Sequence, residues 1–232
     1  MTGPWTECLA GSGVFRAVYD CPAFGPVNAL AIRLGELELA VLSPPPDPEG
    51  AYLDALSHLG QVTALIAPNR AHTAGLSDWA ARCPQAVVYA ADDVTDAVAK
   101  ACGVAVQPIS RLVCPDGLTI YPAPGVSSGS LFMVSSRGGT VVAYLDELVV
   151  WMSEWPRNWV SRMLYFLTGT RPGLTLNHLF LRWFGQDKDA LLKEADAVAQ
   201  QADQIVGAHG HRVETREDLN TVRALIRARR AR

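Results

Sequence analysis

Apolar and polar residues alternate along the first half of the chain in a pattern typical of an α/β protein. Apolar runs at residues 27–34 and 37–42, joined through Gly35-Glu36, predict a β-hairpin. Pro48 suits a helix start, apolar residues recur at helical spacing up to Leu59, and Gly60 follows as a cap. The segments after it are predicted as strand 62–66, helix 76–82, strand 86–89 and helix 94–101. This alternation predicts helices packed on a sheet.

The second half begins with strands and ends with helices. Three strands are predicted at residues 118–121, 130–135 and 140–145, the last two joined by a turn at Arg137-Gly138-Gly139. Residues 188–200 predict a helix, and residues 204–206 a short strand. Thr215 and Asp218 begin a last helix in the manner of a capping box, and its arginine-rich end suits the negative helix terminus.

Large aromatic rings are concentrated between these two groups of elements. They are Trp151, Trp155, Trp159, Tyr165, Phe166, Phe180, Trp183 and Phe184. Four roles fit such a segment: covering the sheet or a neighbouring helix, forming a homodimer surface through residues 151–184, closing a lid over a pocket, or associating with a membrane. The first is favoured because Trp and Phe dominate core burial, and the polar and apolar faces of a membrane helix are not clearly separated in the sequence.

Composition narrows the classes of protein to which the chain belongs. With 232 residues, 49% of them apolar, it is long enough for one α/β domain with a large core. A net charge of -3 gives no general attraction to nucleic acid or to an anionic membrane. Neither a leader peptide nor a transmembrane segment is predicted, so a cytoplasmic location is expected. Five scattered cysteines indicate buried free thiols rather than disulfides or a thiolate zinc site.

The candidate functional residues follow the ends of predicted apolar strands. The segment 64–76 runs from a strand through a Pro68-Asn69 turn to His72, just before a helix. Asp146 and His209 also follow apolar runs, and His211 stands two residues further on. Because α/β proteins place functional groups at strand ends, these positions predict a metal pocket assembled from distant parts of the chain.

These residues also carry a family resemblance. The run 59–72, with its Ala67-Pro68-Asn69-x-x-His72 segment, followed by Trp79 and by Cys83-Pro84-Gln85-Ala86, resembles a family of uncharacterised proteins allied to the metallo-β-lactamase superfamily. Leu145-Asp146 and Ala208-His209-Gly210 occupy the expected later places. The resemblance implies a four-layer αββα sandwich in a single domain, with a metal held at one edge of the sheets. It covers roughly residues 25–213.

The chain departs from the metal motif of that superfamily. Where the H-x-H-x-D-H motif would end at His72, this sequence has Ala67, Asn69 and Ala71 in place of two histidines and the aspartate. The next expected histidine is replaced by Val126. The resemblance therefore implies a reduced ligand set of His72, Asp146 and His209, with Asn69 and His211 as additional candidates.

Two imidazoles and one carboxylate are a sufficient donor set for one zinc ion, and the same set can hold iron(II). One hypothesis is therefore a hydrolase-like protein with at most one zinc or iron ion and a small-molecule substrate. The alternative is a metal-free, catalytically silent protein that binds a ligand or partner. Both use the same predicted organisation: an N-terminal extension (1–24), the main domain (25–213) with an aromatic helical insertion (151–186), and a C-terminal helix (214–232).

Overall fold

A computed structural model describes residues 4–231. The strands are β1 (Thr6–Glu7), β2 (Val14–Cys21), β3 (Gly25–Arg33), β4 (Glu38–Leu42), β5 (Gln61–Ile66), β6 (Val87–Ala90), β7 (Val106–Pro108), β8 (Leu118–Pro122), β9 (Leu131–Arg137), β10 (Thr140–Tyr144), β11 (Val149–Met152), β12 (Gly173–Leu176) and β13 (Gln204–Val206). The α-helices are α1 (Ala51–Asp54), α2 (Leu76–Arg82), α3 (Thr95–Cys102), α4 (Trp159–Thr168), α5 (His178–Trp183), α6 (Lys188–Gln201) and α7 (Arg216–Arg230). Single 3₁₀ turns lie at Ile109–Arg111 and Asp146–Leu148.

The first sheet contains seven strands in sequential order, β1 to β7. The predicted hairpin is confirmed, because β3 and β4 are antiparallel with Arg33 opposite Leu39. From β4 to β7 the strands run parallel. All residues of β4 from Leu39 to Leu42 are buried, as expected for a strand covered on both faces.

The second sheet has the order β13-β10-β9-β8, and its two faces meet different neighbours. Met133 and Tyr144 belong to the core shared with the first sheet and with α2 and α3. Phe132 and Ala143 point to the opposite side and belong to the core formed with α6 and α7. This alternation places helices outside both sheets, so the predicted four-layer αββα sandwich is confirmed.

Two regions differ from the sequence pattern. The helix predicted at residues 48–59 contains only the four α-helical residues of α1, and the chain then continues in tighter turns, with the N–H of Leu56 donating to Leu53 and that of Leu59 to Leu56. Within the predicted N-terminal extension, residues 6–7 form β1 and residues 14–21 form β2, and β2 pairs with β3 over its whole length. Residues 1–3 of that extension lie outside the described part.

The aromatic segment contains two antiparallel strands, β11 and β12, and two helices, α4 and α5. Its rings take more than one role. Tyr165 and Phe180 are buried, as expected for rings that cover a core, whereas Trp159, Phe166 and Trp183 are exposed large apolar side chains. The final helix α7 follows Thr215, whose hydroxyl accepts the backbone N–H of Asp218, which confirms the predicted cap.

Candidate metal centre

Three strand ends bring two histidines and one glutamate together. His72 follows β5, Glu147 lies in the 3₁₀ turn after β10, and His209 follows β13. The side-chain oxygen of Asn69 accepts the backbone N–H groups of Ala71 and His72, at 2.8 and 3.2 Å, and so fixes the turn that presents His72. One ligand atom from each of His72, Glu147 and His209 lies within 4.8 Å of the other two.

The glutamate stands between the two imidazole rings. Glu147 Oε1 is 2.9 Å from His72 Nε2 and 3.2 Å from His209 Nε2, and the ring centroids are 5.3 Å apart. Four tetrahedral ligands at the usual zinc distances stand about 3.4 Å from one another. The two separations that involve Glu147 are close to that value, and the donor atoms of the two histidines lie within 4.8 Å of each other. The donor set therefore suits one zinc ion or another divalent metal that accepts nitrogen and oxygen.

Two of these three side chains also form contacts with polar residues outside the group. Ser43 Oγ lies 3.1 Å from His72 Nδ1, and Asn177 Nδ2 donates to Glu147 Oε2 at 3.3 Å. His209 Nδ1 is buried and has no hydrogen-bond partner among the described residues. Outer contacts of this kind set the tautomer and direction of a ligating ring, so His72 is the better oriented of the two histidines.

Burial and neighbouring charges shift the pKa values of His72 and Glu147 in opposite directions. Burial alone would lower the pKa of His72, but the hydrogen bond and negative charge of Glu147, assisted by Asp146, raise it above the ordinary value. Burial alone would raise the pKa of Glu147, but the charges and hydrogen bonds of His209 and His72 hold it well below its usual range. Glu147 is therefore an anion facing two potential donors.

Asp146 is placed differently from its neighbour. It is fully buried, and both of its oxygens accept the Asn69 amide, at 2.9 and 3.0 Å, while Tyr144 OH donates to Oδ1 at 3.0 Å. Desolvation, followed by the charge of Glu147, raises its pKa to about 6. The structure thus does not bring Asp146 or Asn69 into the group formed by His72, Glu147 and His209.

His209 and His211, on either side of Gly210, contact different neighbours. A Cβ at Gly207 would lie 1.9 Å from the Val149 carbonyl, so the chain can pass this close only with glycine. His209 reaches Glu147, whereas His211 is exposed and packs edge-on against Trp151, with ring centroids 5.7 Å apart. Both histidines line a neighbouring cavity, but only His209 joins the group around Glu147.

Ser43 and Asp146 share a backbone feature. Among the described residues, they are the non-glycine residues with positive φ, 54° for Ser43 and 42° for Asp146. Such conformations are costly for residues with a Cβ and are concentrated at functional sites. Ser43 contacts His72, and Asp146 directly precedes Glu147, so both unusual backbone positions support the same group of side chains.

We expect Ser43→Ala to weaken zinc binding by about tenfold, because His72 would lose the contact that orients its ring. Alanine keeps the Cβ, so the backbone preference at residue 43 changes little. Affinity is measured by competition with a chromophoric chelator. Ser135→Ala is the matched control, since this serine is also buried but its hydroxyl donates to the Ser12 carbonyl. Equal zinc affinity in both variants would contradict this role of Ser43.

The group lies in the wall of a cavity of about 330 Å³. The other side chains of that wall are mainly apolar or aromatic: Tyr19, Cys21, Phe24, Val27, Ala71, Ala74, Tyr165, Asn177, Leu179, Phe180, Trp183 and Phe184. α4 and α5 therefore contribute to the cavity wall from the aromatic segment. A concave, largely apolar surface with a few convergent polar groups is typical of a small-molecule site.

The sandwich with a donor cluster at its strand ends is the metallo-β-lactamase fold, and solved structures share it over nearly the whole chain. A metallo-β-lactamase from Hirschia baltica matches with a TM-score of 0.59 at 16% identity, covering 96% of this chain and 98% of that one. The metallo-β-lactamase FIM-1 from Pseudomonas aeruginosa, in its mono-zinc form, gives 0.58 at 16% identity, covering 100% and 99%.

A third similar structure is the metal-soaked Flv1 flavodiiron core from Synechocystis sp. PCC6803, with a TM-score of 0.60 at 16% identity. That match covers 98% of this chain and 62% of the longer one. No protein-family model matches the sequence, and no curated protein is similar to it at a significant level. In the described part of the chain, no helix combines the length and apolar character needed to cross a membrane.

Proposed function

We propose that the protein is a hydrolase that uses a single metal ion held by His72, Glu147 and His209. The convergence of these three side chains in the wall of an apolar cavity carries this proposal. The fold shared with a mono-zinc metallo-β-lactamase and with a flavodiiron core supports a metal at this edge of the sandwich. In the proposed site Glu147 supplies the carboxylate, because the oxygens of Asp146 are taken up by Asn69 and Tyr144.

Zinc or iron(II) bound there would act as a Lewis acid and make water nucleophilic near neutral pH. The chain supplies binding and orientation: Ser43 directs the His72 ring, and Asn177 holds the second oxygen of Glu147. The apolar wall limits the access of bulk water to the polar groups, which strengthens their electrostatic effect. Ala71 provides no carboxylate beside His72, so the proposal requires one ion and not two.

The cavity wall favours an uncharged substrate. Its described residues include no lysine or arginine, so no fixed cation is present to receive a phosphate or carboxylate group. Arg70, which precedes the wall residue Ala71 in the chain, stacks on Phe184 with its guanidinium carbon 5.2 Å from the ring centroid. We therefore propose a neutral carboxylic ester or lactone with an apolar group, in preference to a phosphoester.

The test combines metal analysis with a substrate panel. Protein purified without a histidine tag or chelator, from cells supplied with zinc, iron and manganese, should contain close to one ion per chain by mass spectrometry. Neutral aryl esters and lactones should be hydrolysed faster than the matching aryl phosphates. Protein without an ion in any preparation, or preference for the phosphates, would contradict the proposal.

The second candidate is a catalytically silent protein that binds an apolar ligand. Glu147 Oε1 lies within hydrogen-bonding distance of the Nε2 atoms of both imidazoles, so these two nitrogens have a partner in the absence of a metal. For this candidate, an apolar fluorescent probe should bind with the same affinity before and after treatment with a chelator. The hydrolase hypothesis instead requires chelation to abolish turnover.

A further inference from the structure

Helix α4 presents an apolar face to solvent. Its exposed apolar side chains are Trp159, Val160, Met163, Phe166 and Leu167. At 100° per residue they cover one side of the helix, whereas Ser161 and Tyr165 are buried on the other. The most exposed of the set are Trp159 at 71% and Leu167 at 70%. A helix packed on a soluble core normally has the opposite polarity, so this outward face needs a partner.

The chain segment that carries this face is rich in arginine. Residues 155–186 include four arginines and no aspartate or glutamate, although the whole chain has a net charge of -3. Arg157 pairs with Asp20, with 3.4 Å between Nη1 and Oδ2. Arg162, Arg171 and Arg182 are exposed and form no ion pair with another described residue. Arg162 lies on α4 itself, Arg171 follows it in the chain, and Arg182 lies on α5, which contacts α4, so the segment that carries the apolar face also carries unpaired positive charge.

We propose that α4 and its neighbouring arginines form a docking surface for an anionic lipid layer, on which the apolar face lies in the interface plane. Aromatic and aliphatic side chains would enter the boundary between headgroups and acyl chains, while the arginines contact lipid phosphates. A second copy of the chain is the less suitable partner, because a twofold contact through this face would bring its arginines close to the same arginines of the partner.

The docking surface adjoins the cavity. Tyr165 on the inner side of α4 lines it, and so does Trp183 of α5, which is 57% exposed. An apolar molecule dissolved in the lipid layer would thus be close to the cavity when the protein is docked. The docking itself does not depend on the metal centre, and vesicle binding tests it without any assay of hydrolysis.

The experiment is co-sedimentation of the full chain with vesicles of phosphatidylcholine alone or mixed with phosphatidylserine. Binding is expected to the mixed vesicles and to decrease with added salt, because exposed charges are screened. The double substitution R171Q/R182Q should weaken binding by roughly thirtyfold, whereas R111Q/R216Q, at exposed arginines outside the surface, should leave it unchanged. Equal binding to both vesicle types would overturn the charge argument.

The contribution of the exposed apolar side chains to vesicle binding can be tested with a closely matched control. Leu167 and Leu37 are both 70% exposed, but only Leu167 belongs to the proposed surface. Leu167→Gln should reduce vesicle binding by about tenfold, and Leu37→Gln should not. Absence of vesicle binding would overturn the proposal. The proposal would also be overturned if sedimentation velocity showed a dimer that Leu167→Gln dissociates and that vesicles do not disrupt. In that case α4 would be a contact between two copies of the chain.

Discussion

His72→Ala and His209→Ala are each expected to lower zinc affinity by at least about a hundredfold. Each substitution removes one of the two nitrogen ligands of the proposed centre, and even the loss of an outer contact to a ligand commonly costs ten- to a hundredfold. Both side chains are largely buried, at 7% and 6% exposure, so no nearby surface histidine can replace them without a rearrangement of the backbone. Metal content after dialysis, and calorimetric titration of the metal-free protein, measure the loss.

Three other histidines provide controls for this experiment. His58 is exposed, His178 lies at the first position of α5, and His211 packs on Trp151. Alanine substitutions at these positions should leave the zinc affinity within about threefold of the unsubstituted protein, because none of these histidines belongs to the donor group and substitutions away from such a site usually change a free energy by no more than about 0.5 kcal/mol. If all five variants retain the same metal content, the assignment of His72 and His209 is wrong.

The layered fold follows from the sequence because its elements are locally encoded. Apolar strand runs bounded by glycine and proline predict the hairpin, the parallel strands β5 and β6, and the strands of the second sheet. The same pattern does not predict β2 and β7, which lie toward the two sides of the first sheet. In β2 the residues Arg16, Tyr19 and Asp20 interrupt the apolar pattern, because a strand near the side of a sheet is covered less completely than a central one.

Local sequence patterns do not decide which of two adjacent acidic residues joins the two histidines. Leu145-Asp146-Glu147-Leu148 places two carboxylates at the end of an apolar strand, and the family resemblance favours the first. In the structure the positive φ of Asp146 opens a 3₁₀ turn that sends Asp146 toward Asn69 and Glu147 toward the histidines. That divergence depends on contacts between residues 77 positions apart, which hydrophobic periodicity does not record.

The aromatic segment illustrates a similar limit. Its composition predicts ring burial, yet the structure distributes the rings among core, cavity wall and exposed surface. Tyr165 and Phe166 are adjacent in the sequence, but Tyr165 is buried and Phe166 is exposed on α4. Helical periodicity separates the two faces, but only the packing of α4 against its neighbours decides which of them is buried.

Glu147→Gln is expected to weaken metal binding with little effect on stability, and Asp146→Asn to lower stability with little effect on metal binding. Glu147→Gln removes the charged oxygen between the two histidines and should lower zinc affinity by at least about a hundredfold, because a neutral amide is a much poorer zinc ligand than a carboxylate. The amide oxygen of the introduced side chain would still accept from the imidazole N–H groups, so the fold should remain intact. The pKa of His72 should also fall, since Glu147 contributes most of the effects that raise it.

Asp146→Asn should instead act mainly on folding. The new amide group would face the Asn69 and Tyr144 donors in a fully buried place, which is expected to lower the free energy of unfolding by about 1–3 kcal/mol. At saturating zinc the folded variant should still bind close to one ion. Urea denaturation and metal analysis of both variants separate the two roles. Loss of the ion in Asp146→Asn with retention in Glu147→Gln would identify Asp146 as the ligand and reduce Glu147 to a partner of the two histidines.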